Sequence, residues 1–558
     1  MQLARRWMWT TIIGVTVFAL SVAGIAWGDR PLARAKPTAF AADGEILRGT
    51  YVIGDRDAGI LLLEGFGSDQ VTMRSAASTF ARAGYHVYTF DFSGHGRSPG
   101  GLTFDNAATD RLAHQVLAAQ SALESRAGLP TDRILVLGHS MGARVGLQAA
   151  AMTDTPPAGL ILLGAQVNLD TNVQSEVFTG VADTGLAWVQ ALGPTTPATN
   201  VLLIVGSWDD ILTPANADLL LEKLVGAPTA AHTVHGELGA GTGRQLIILE
   251  RLLHNYEIFS PRALALAQGW AADVLGLAPA NAGLVRVQAR RVALWITGLT
   301  GIFVAVIGGN RWTQARRPAA ETRTHRITVT RVRRYLVGKL LLWLSALPAI
   351  ALLFGLFYFL PLATPVFNLI YVGFIGGYGL LMLLLYGIGK VPGTEGKLPF
   401  RDPISERARD PRGIAAALGI TATFLAAVTL YARTGWFLAP PSGQRLIWVA
   451  LFTPVTALGF WIGLHEGEVL STTELDRRWP RAANTLLGLV PFFLWTILQA
   501  AIGSLSGMVS GVQGLIILAL VTAYGALVLR LAQRPWLTAI LQAIVLYWLI
   551  LPQGVLFI

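Results

Sequence analysis

Gly138-His139-Ser140-Met141-Gly142 places a serine between two glycines, directly after the apolar run Ile134–Leu137 and before the helix-forming stretch Ala143–Met152. A serine hydroxyl is a weak nucleophile unless a neighbouring base takes its proton. The glycines allow the tight strand-to-helix turn that lifts such a serine clear of a sheet. The N–H of Met141, at the helix N-terminus, would then face the charge that develops on an attacked carbonyl oxygen. These residues indicate acyl-transfer chemistry at Ser140.

A second stretch, Gly96-Arg97-Ser98-Pro99-Gly100, has the same spacing of glycines around a serine. Such a pattern arises by chance on the order of a few tenths of a time in a chain of this composition. No strand immediately precedes this stretch, and Pro99 has no N–H to offer an oxyanion. Ser140, and not Ser98, is therefore the candidate nucleophile.

The elements that would position Ser140 can be read from the rest of residues 28–290. Short runs rich in Val, Ile and Leu recur there, and segments that can form helices lie between most of them. Strands that alternate with helices predict βαβ units and a mostly parallel sheet with helices on both faces. The predicted strands are Gly59–Leu63, Tyr85–Phe90, Ile134–Leu137, Leu160–Leu163, Val201–Val205 and Leu246–Leu249.

Two further motifs extend the pattern around Ser140. Phe90–Ser98 reads Phe-Asp-Phe-Ser-Gly-His-Gly-Arg-Ser, and Leu61–Ser68 reads Leu-Leu-Leu-Glu-Gly-Phe-Gly-Ser. With the serine turn they resemble the α/β-hydrolase superfamily, in particular its esterase, lipase and serine-peptidase-like members, over residues 45–276. The first matches the superfamily's Asp-x-x-Gly-His-Gly-x-Ser turn, and the second its apolar–His-Gly-Phe-Gly loop.

The resemblance implies roles for single residues. It makes the N–H of Phe66 the second oxyanion donor beside that of Met141. It gives His95 and His139 supporting roles and not reacting ones. Glu64 departs from the pattern, because histidine is usual at that position.

The superfamily's catalytic order is serine, then acid, then histidine. After the apolar run Val201–Val205 the chain reads Gly206-Ser207-Trp208-Asp209-Asp210-Ile211-Leu212-Thr213-Pro214. This resembles the superfamily's acid turn, which makes Asp209 the carboxylate that orients the histidine. Its neighbour Asp210 is the alternative.

Three histidines, His232, His235 and His254, follow this acid. His235 lies at the commoner family distance from the acid, but no apolar strand leads into it. His254 follows the apolar stretch Leu246–Leu253 and precedes a segment that can begin a helix at Pro261. Strand, histidine and final helix is the family order, so we favour His254 and keep His235 as the alternative.

The whole chain has the composition of a membrane protein. Of its 558 residues, 53% are hydrophobic, 14% are charged and none is cysteine. Ordinary soluble domains are about 25% charged. The absence of cysteine excludes disulfides, thiolate nucleophiles and cysteine-ligated metals, and the Ser-His-Asp chemistry needs neither a metal nor a cofactor.

Nine apolar runs are long enough to cross a bilayer, which takes about 17–25 residues. The first, Trp7–Trp27, follows two arginines and is expected to be an uncleaved signal anchor, with a cleaved signal peptide as the alternative. The other eight are Val292–Gly309, Leu340–Leu360, Val366–Gly389, Ile414–Tyr431, Leu446–Leu464, Leu486–Ile502, Val512–Leu529 and Trp536–Leu556.

The charges predict how these spans are oriented. Residues 28–291 carry 19 basic and 24 acidic side chains, whereas the rest of the chain carries 24 and 9. The basic excess therefore lies in membrane loops, which argues against a nucleic-acid partner. Arg311–Lys339 holds nine basic residues and Lys390–Arg412 holds six, so the positive-inside rule predicts these loops, and the N-terminus, to be cytoplasmic. Arg286, Arg290 and Arg291, on the outer side, are the exception.

Three parts are thus expected: a signal anchor (1–30), an extracytoplasmic α/β-hydrolase domain (31–290) and a polytopic helical domain (291–558). The predicted function is a Ser-His-Asp hydrolase of the plasma or inner membrane, acting on a small ester or lipid substrate at the bilayer, with protein partners unknown. A peptidase or an acyltransferase could use the same three residues, because the fold does not determine the substrate. Eight further spans exceed what an anchor needs, so a transporter, flippase or sensor is the alternative. His465, Glu466 and Glu468 are expected at the cytoplasmic end of one span.

Overall fold

The computed structural model describes residues 2–103, 107–169, 183–278, 283–316, 327–398, 411–469 and 478–558. Parts of the two basic loops, Arg311–Lys339 and Lys390–Arg412, lie outside these ranges. The described residues form a nine-stranded sheet flanked by helices and a bundle of long apolar helices. The predicted α/β domain and helical membrane domain are both confirmed.

The sheet has the strand order β1-β2-β4-β3-β5-β6-β7-β9-β8. Its centre is parallel, from β4 through β3, β5, β6 and β7 to β9, while β1, β2 and β8 pair antiparallel at the edges. The strands are β1 Ala35–Ala42, β2 Glu45–Val52, β3 Gly59–Leu63, β4 His86–Phe90, β5 Ile134–His139, β6 Gly159–Leu163, β7 Asn200–Gly206, β8 Val234–His235 and β9 Arg244–Leu249.

Successive side chains of the central strands enter two separate cores, one on each face of the sheet. On β3, Leu61 and Leu63 pack on one face, and Ile60 and Leu62 on the other. This is the two-residue period of a strand, and burial on both faces explains why these strands are continuous apolar runs. The flanking helices are α2 Arg74–Arg82, α3 Ala107–Ala127, α4 Met141–Ala151, α5 Ala187–Ala191, α6 Pro214–Val225 and α7 Pro261–Val274.

Among the described residues, eight helices are long and apolar enough to cross a membrane. One precedes the sheet domain and seven follow it. Val366–Ile388 contains a π-helical turn at Val372–Gly376. The eight are α1 Gln2–Gly28, α8 Leu284–Arg316, α9 Val332–Tyr358, α10 Val366–Ile388, α11 Pro411–Ala432, α12 Gln444–Val469, α15 Leu505–Ala532 and α16 Pro535–Ile550. Two short strands, β10 Ile327–Val329 and β11 Thr394–Gly396, pair antiparallel although α9 and α10 lie between them in sequence.

The prediction of nine long spans is corrected at Leu486–Ile502. This run is divided between α13, Arg478–Gly488, and α14, Val490–Ala501. The break falls beside Pro491, whose ring and missing N–H prevent a continuous helix. Because α14 has only 12 residues, it is too short to span a bilayer alone.

The two pieces make different contacts. In α13, the Asn484 Oδ1 accepts from the Lys339 Nζ (2.7 Å) within the bundle. Just after α14, the Ser506 N–H donates to Asp210 of the sheet domain (3.1 Å). The number of crossings, and the side of the membrane on which each end lies, stay predictions.

Glu466, which the sequence analysis expects at the cytoplasmic end of one span, is buried among helices of the bundle. Its carboxylate is buried and 2.5 Å from the Lys339 Nζ. The Tyr386 hydroxyl donates to the same carboxylate (3.3 Å). Lys339 and Glu466 are 127 residues apart in sequence and lie on different helices. Their pairing lowers the free-energy cost of burying each charge away from water.

Candidate active site

Ser140 occupies the junction between the end of β5 and the first turn of α4. Its φ of 53° and ψ of −116° are costly for a residue with a side chain. The Ser140 N–H donates to the Leu163 carbonyl (2.9 Å), and the Arg144 N–H donates to the Ser140 carbonyl (3.1 Å). The turn directs the serine hydroxyl towards His254, whose Nε2 lies 2.9 Å from the Ser140 Oγ.

Close backbone packing requires the glycines on either side of Ser140. A Cβ at Gly138 would lie 2.5 Å from the Ala143 nitrogen, and a Cβ at Gly142 would lie 2.4 Å from the Glu64 carbonyl oxygen. Both distances are well inside van der Waals contact. Glycine is therefore needed two residues before and two residues after Ser140, because the start of α4 packs closely against β5 and against the loop after β3.

Replacing Gly142 with Ala is expected to destabilise the protein by about 1–3 kcal/mol, because the new methyl group must displace main chain. Gly269, in the middle of α7, is the matched control, since a Cβ there meets open space. Gly269→Ala is expected to stabilise the helix by about 0.5–1 kcal/mol. Denaturant unfolding of the two purified variants measures both changes; equal effects would contradict the packing argument.

Asp209 lies just after the end of β7, in the loop that precedes α6. Its Oδ1 accepts hydrogen bonds from the N–H groups of Ile211 (2.9 Å) and Leu212 (2.8 Å). Its Oδ2 lies 2.8 Å from the His254 Nδ1. The alternative acid, Asp210, points away from the histidine and accepts a hydrogen bond from the Ser506 hydroxyl at 2.5 Å.

His254 opens a 3-10 turn that follows β9 and precedes α7. It is buried, with one ring nitrogen facing Ser140 and the other facing Asp209. His235, by contrast, lies on the edge strand β8, where its Nε2 is 3.3 Å from the Ala230 carbonyl oxygen. Of the three histidines considered from the sequence, the structure brings only His254 to the serine and the acid.

Two buried titratable groups lie behind this chain of hydrogen bonds. The His139 Nε2 is 3.0 Å from the His254 carbonyl oxygen, and burial, aided by the charge of His254, lowers the pKa of His139 to about 3. The Glu257 Oε1 accepts from the Gly206 N–H (2.7 Å). Burial, with the nearby Asp209 charge, raises the pKa of Glu257 well above its usual value. His139 is therefore neutral at neutral pH, and Glu257 keeps its proton to a higher pH than an exposed glutamate does.

His139, His254 and Glu257 also offer three potential metal-ligand atoms within 4.8 Å of one another. Both ring nitrogens of His254, however, already face Ser140 and Asp209. A metal ion bound to that ring would have to replace one of these contacts. The donor set is thus better suited to the hydrogen-bonded serine arrangement than to a metal centre.

The two predicted oxyanion donors lie on either side of Ser140. Met141 is the first residue of α4, where a helix leaves its amide N–H groups without internal partners. Phe66 follows Gly65, at which a Cβ would lie 3.3 Å from the Ser140 Cβ. In the described part of the chain the Phe66 N–H donates no hydrogen bond. Their role as oxyanion donors stays a prediction.

The Phe66 side chain joins the site to the helical domain. Its ring centroid lies 5.5 Å from that of Phe367, at the start of α10, and 6.2 Å from that of Phe557, after α16. The Leu556 carbonyl also accepts from the Leu102 N–H (2.8 Å). One wall of the site is therefore built from segments several hundred residues away in sequence.

The loop that carries Phe66 adjoins a cluster of three buried carboxyl groups, Glu64, Asp69 and Asp91. The Glu64 Oε1 accepts from the Phe92 N–H (2.9 Å), and Asp91 accepts from the Gln70 N–H (2.8 Å). Burial, together with the charge of Asp91, raises the pKa of Glu64 well above its usual value and that of Asp69 to about 7.

The helical domain contributes the groups that face this cluster. The Leu438 N–H donates to Asp69 (2.6 Å). Arg445, in the first turn of α12, is buried and donates to the carbonyl groups of Gly94 (2.7 Å) and Gly96 (2.9 Å). The sequence analysis did not identify Arg445 as part of the site. The sequence feature that could have identified it is an arginine at the predicted outer start of an apolar span.

Glu64→Gln is expected to stabilise the protein increasingly as pH rises. The folded chain holds a proton on Glu64 that the unfolded chain releases above its pKa of about 4.3, so stability falls with rising pH. The amide of the variant would keep the bond from Phe92 and remove this dependence. We expect the Tm difference between variant and wild type to be larger at pH 8 than at pH 5. A difference that is constant or reversed would show that Glu64 is ionised in the folded protein.

Comparisons with known proteins agree with this fold. Residues 54–203 match the family model described as serine aminopeptidase, S33. Over 106 residues the chain is 31% identical to a protein of Variovorax paradoxus (strain S110) named as a putative carbamate hydrolase, RutD. That match covers 19% of this chain and 37% of the relative.

Similar solved structures include a membrane phospholipase A described as a bacterial virulence factor, with 16% identity, and an esterase of Pyrococcus furiosus, with 17%. The first match covers 47% of this chain and 93% of that one, with a TM-score of 0.33. The second covers 43% and 90%, with a TM-score of 0.32.

The segment matched by the family model includes β3 to β6 and Ser140. The resemblance predicted from the sequence is thereby confirmed, and the domain that carries Ser140 has the α/β-hydrolase fold.

Proposed function

We propose that this chain is a membrane-bound serine hydrolase that cleaves an acyl ester, with Ser140 as nucleophile, His254 as general base and Asp209 as its orienting acid. The observation that carries the proposal is the unbroken path of two hydrogen bonds from Asp209 through His254 to Ser140. The strained backbone of Ser140 supports it, because such strain is concentrated at functional sites.

In the proposed reaction, His254 Nε2 takes the proton of the Ser140 hydroxyl while the oxygen attacks the ester carbonyl. The N–H groups of Phe66 and Met141 stabilise the resulting oxyanion. Collapse of this intermediate expels the alcohol, which takes the proton from His254. Water, activated by the same imidazole, then releases the acid from the acyl-enzyme. Asp209 keeps the ring oriented and stabilises its cationic form.

We place the hydrolase domain on the extracytoplasmic face and the basic loops in the cytoplasm. This orientation is supported by the positive-inside rule, because Arg311–Lys339 holds nine basic residues and Lys390–Arg412 holds six. A lipid-like or amphiphilic ester is the favoured substrate, because the site lies against segments that join membrane-spanning helices. A tag inserted at residue 320 should be inaccessible from outside intact cells; accessibility there would reverse the orientation.

The activity is tested by labelling the purified chain with a fluorophosphonate, which reacts with activated serines. We expect one adduct, on the peptide that contains Ser140. A panel of acyl esters of increasing chain length, beside peptide and carbamate substrates, then identifies the bond cleaved. Absence of any adduct on the folded wild-type protein would refute the serine-hydrolase proposal.

A transporter, flippase or sensor remains the second candidate because of a cavity within the helical domain. It has a volume of about 260 Å³ and is lined by the Lys339–Glu466 ion pair, Asn484 and apolar side chains such as Trp343 and Phe460. Buried ionisable residues within spans commonly mark transport pathways. Flux of a solute or lipid by reconstituted Ser140→Ala protein, which has no proposed nucleophile, would favour this function.

A further inference from the structure

A cavity of about 640 Å³ lies where α1, α2 and α8 meet at the boundary between the sheet domain and the helices. We call it the arginine pocket, because five arginines line it and Asp55 is the only acidic residue among its lining residues in the described part of the chain. The five are Arg30, Arg34, Arg82, Arg290 and Arg291.

Two of these arginines have carboxylate partners. Arg291 is buried in an ion pair with Asp29, and Arg34 lies 2.8 Å from the exposed carboxylate of Asp55. Asp29 is also bound by Arg74, which lies 2.5 Å away, so its charge is already shared. These pairs leave the pocket with an excess of positive charge.

The other three arginines supply that excess. In the ranges that the structure describes, no carboxylate lies within 4.0 Å of Arg30, Arg82 or Arg290. The Arg82 guanidinium donates to the Gly28 carbonyl (2.5 Å), which holds it at the end of α1. The Arg30 guanidinium lies over the ring of Trp27. The guanidinium groups of these three arginines therefore line one cavity without a carboxylate partner in the described ranges.

The pocket also has apolar lining residues that belong to candidate membrane-spanning helices. Ile25, near the end of α1, and Leu294, in the third turn of α8, both line it. Trp27, at the end of α1, is of a type enriched where spans meet the membrane surface. The pocket therefore combines cationic and apolar side chains at the end of α1, where Trp27 is typical of a membrane surface.

We infer that the arginine pocket binds the phosphate group of an anionic phospholipid from the adjoining leaflet, with the lipid's acyl chains lying along α1 and α8. Arginine's planar fork matches phosphate oxygens, and basic pockets between spans bind lipid headgroups. A lipid phosphate at this site would account for Arg290 and Arg291 at the predicted outer start of α8, where the positive-inside rule does not predict basic residues. The inference does not rest on the proposed hydrolysis, because the pocket contains none of the residues assigned to it.

The test measures lipid binding by the full chain in detergent, using the Ser140→Ala protein so that no proposed turnover interferes. Native mass spectrometry counts retained phosphatidylglycerol and phosphatidylcholine during titration. We expect Arg290→Gln to weaken phosphatidylglycerol binding about fivefold and Arg30→Gln/Arg290→Gln about 30-fold, from about 1 kcal/mol for each charge. Arg286→Gln is the matched control: it removes an exposed arginine from the same helix, one turn away and outside the pocket.

Three results would overturn the inference: equal binding of the two lipids by the unsubstituted pocket, equal weakening by Arg286→Gln, or displacement of the lipid by glycerol phosphate at comparable concentration. The last would assign the pocket to a soluble phosphate. If the double glutamine variant does not fold, the charge-retaining variant Arg30→Lys/Arg290→Lys is titrated instead. Its preference for phosphatidylglycerol over phosphatidylcholine should be lost when the salt concentration is raised from 50 to 500 mM.

Discussion

Ser140→Ala is expected to lower kcat for a p-nitrophenyl acyl ester by on the order of a million-fold, the size of loss that follows removal of a triad nucleophile. The variant should also lose all labelling by a fluorophosphonate. The reason is that His254 then has no hydroxyl to activate, whereas the substrate can still bind. Steady-state kinetics and the intact mass of the treated protein measure the two losses.

Ser98→Ala provides the matched control, because Ser98 lies in the other Gly-x-Ser-x-Gly stretch. Its hydroxyl donates to the Asp91 carbonyl (2.5 Å) and accepts from the Arg48 N–H (3.0 Å), so its role is structural. We expect this variant to be less stable but still labelled at Ser140. Retention of the adduct in Ser140→Ala, or its loss in folded Ser98→Ala, would assign the nucleophile to another serine.

Asp209→Asn is expected to lower kcat by on the order of ten thousand-fold, as the corresponding change does in a serine-protease triad. An amide can donate to the His254 Nδ1 and so favour the wrong tautomer, and it cannot stabilise the imidazolium. The pH dependence of kcat, measured on wild type and variant, separates this effect from a loss of folding.

The adjacent Asp210→Asn is the control for that change. Asp210 contacts Ser506 and not the imidazole, so its amide variant should keep kcat within a few-fold of wild type. Comparable losses in both variants would mean that the acid turn acts as a structural unit and that Asp209 has no separate role towards His254.

The parallel core of the sheet could be predicted because its strands are buried on both faces. Gly59–Leu63 has the predicted bounds, and the other five predicted strands differ from the observed ones by one or two residues at either end. The antiparallel strands β1 and β2 were missed because neither is a continuous buried run: on β1, Lys36 and Pro37 are exposed and Thr38 is half-buried. Without a continuous apolar run, their pairing depends on the finished sheet.

The residues around the serine could be predicted, but the groups that support them could not. Ser140, Asp209 and His254 each follow a buried strand, and parallel strands bring such residues to one edge. Arg445 and Leu438 meet Gly94 and Asp69 across about 350 residues of sequence, through an interface that no local pattern specifies. The Lys339–Glu466 pair was missed for the same reason.

The contacts of Arg445, Leu438 and Leu556 with the hydrolase domain have a consequence for biogenesis. A ribosome completes the sheet domain long before it makes these residues, so the carbonyl groups of Gly94 and Gly96 first lack their guanidinium partner. The loop that carries Phe66 gains its final support only once the last helices are inserted. We therefore expect this loop to reach its final structure only after the helical domain has been inserted, and a chain truncated before Leu438 to lack that support.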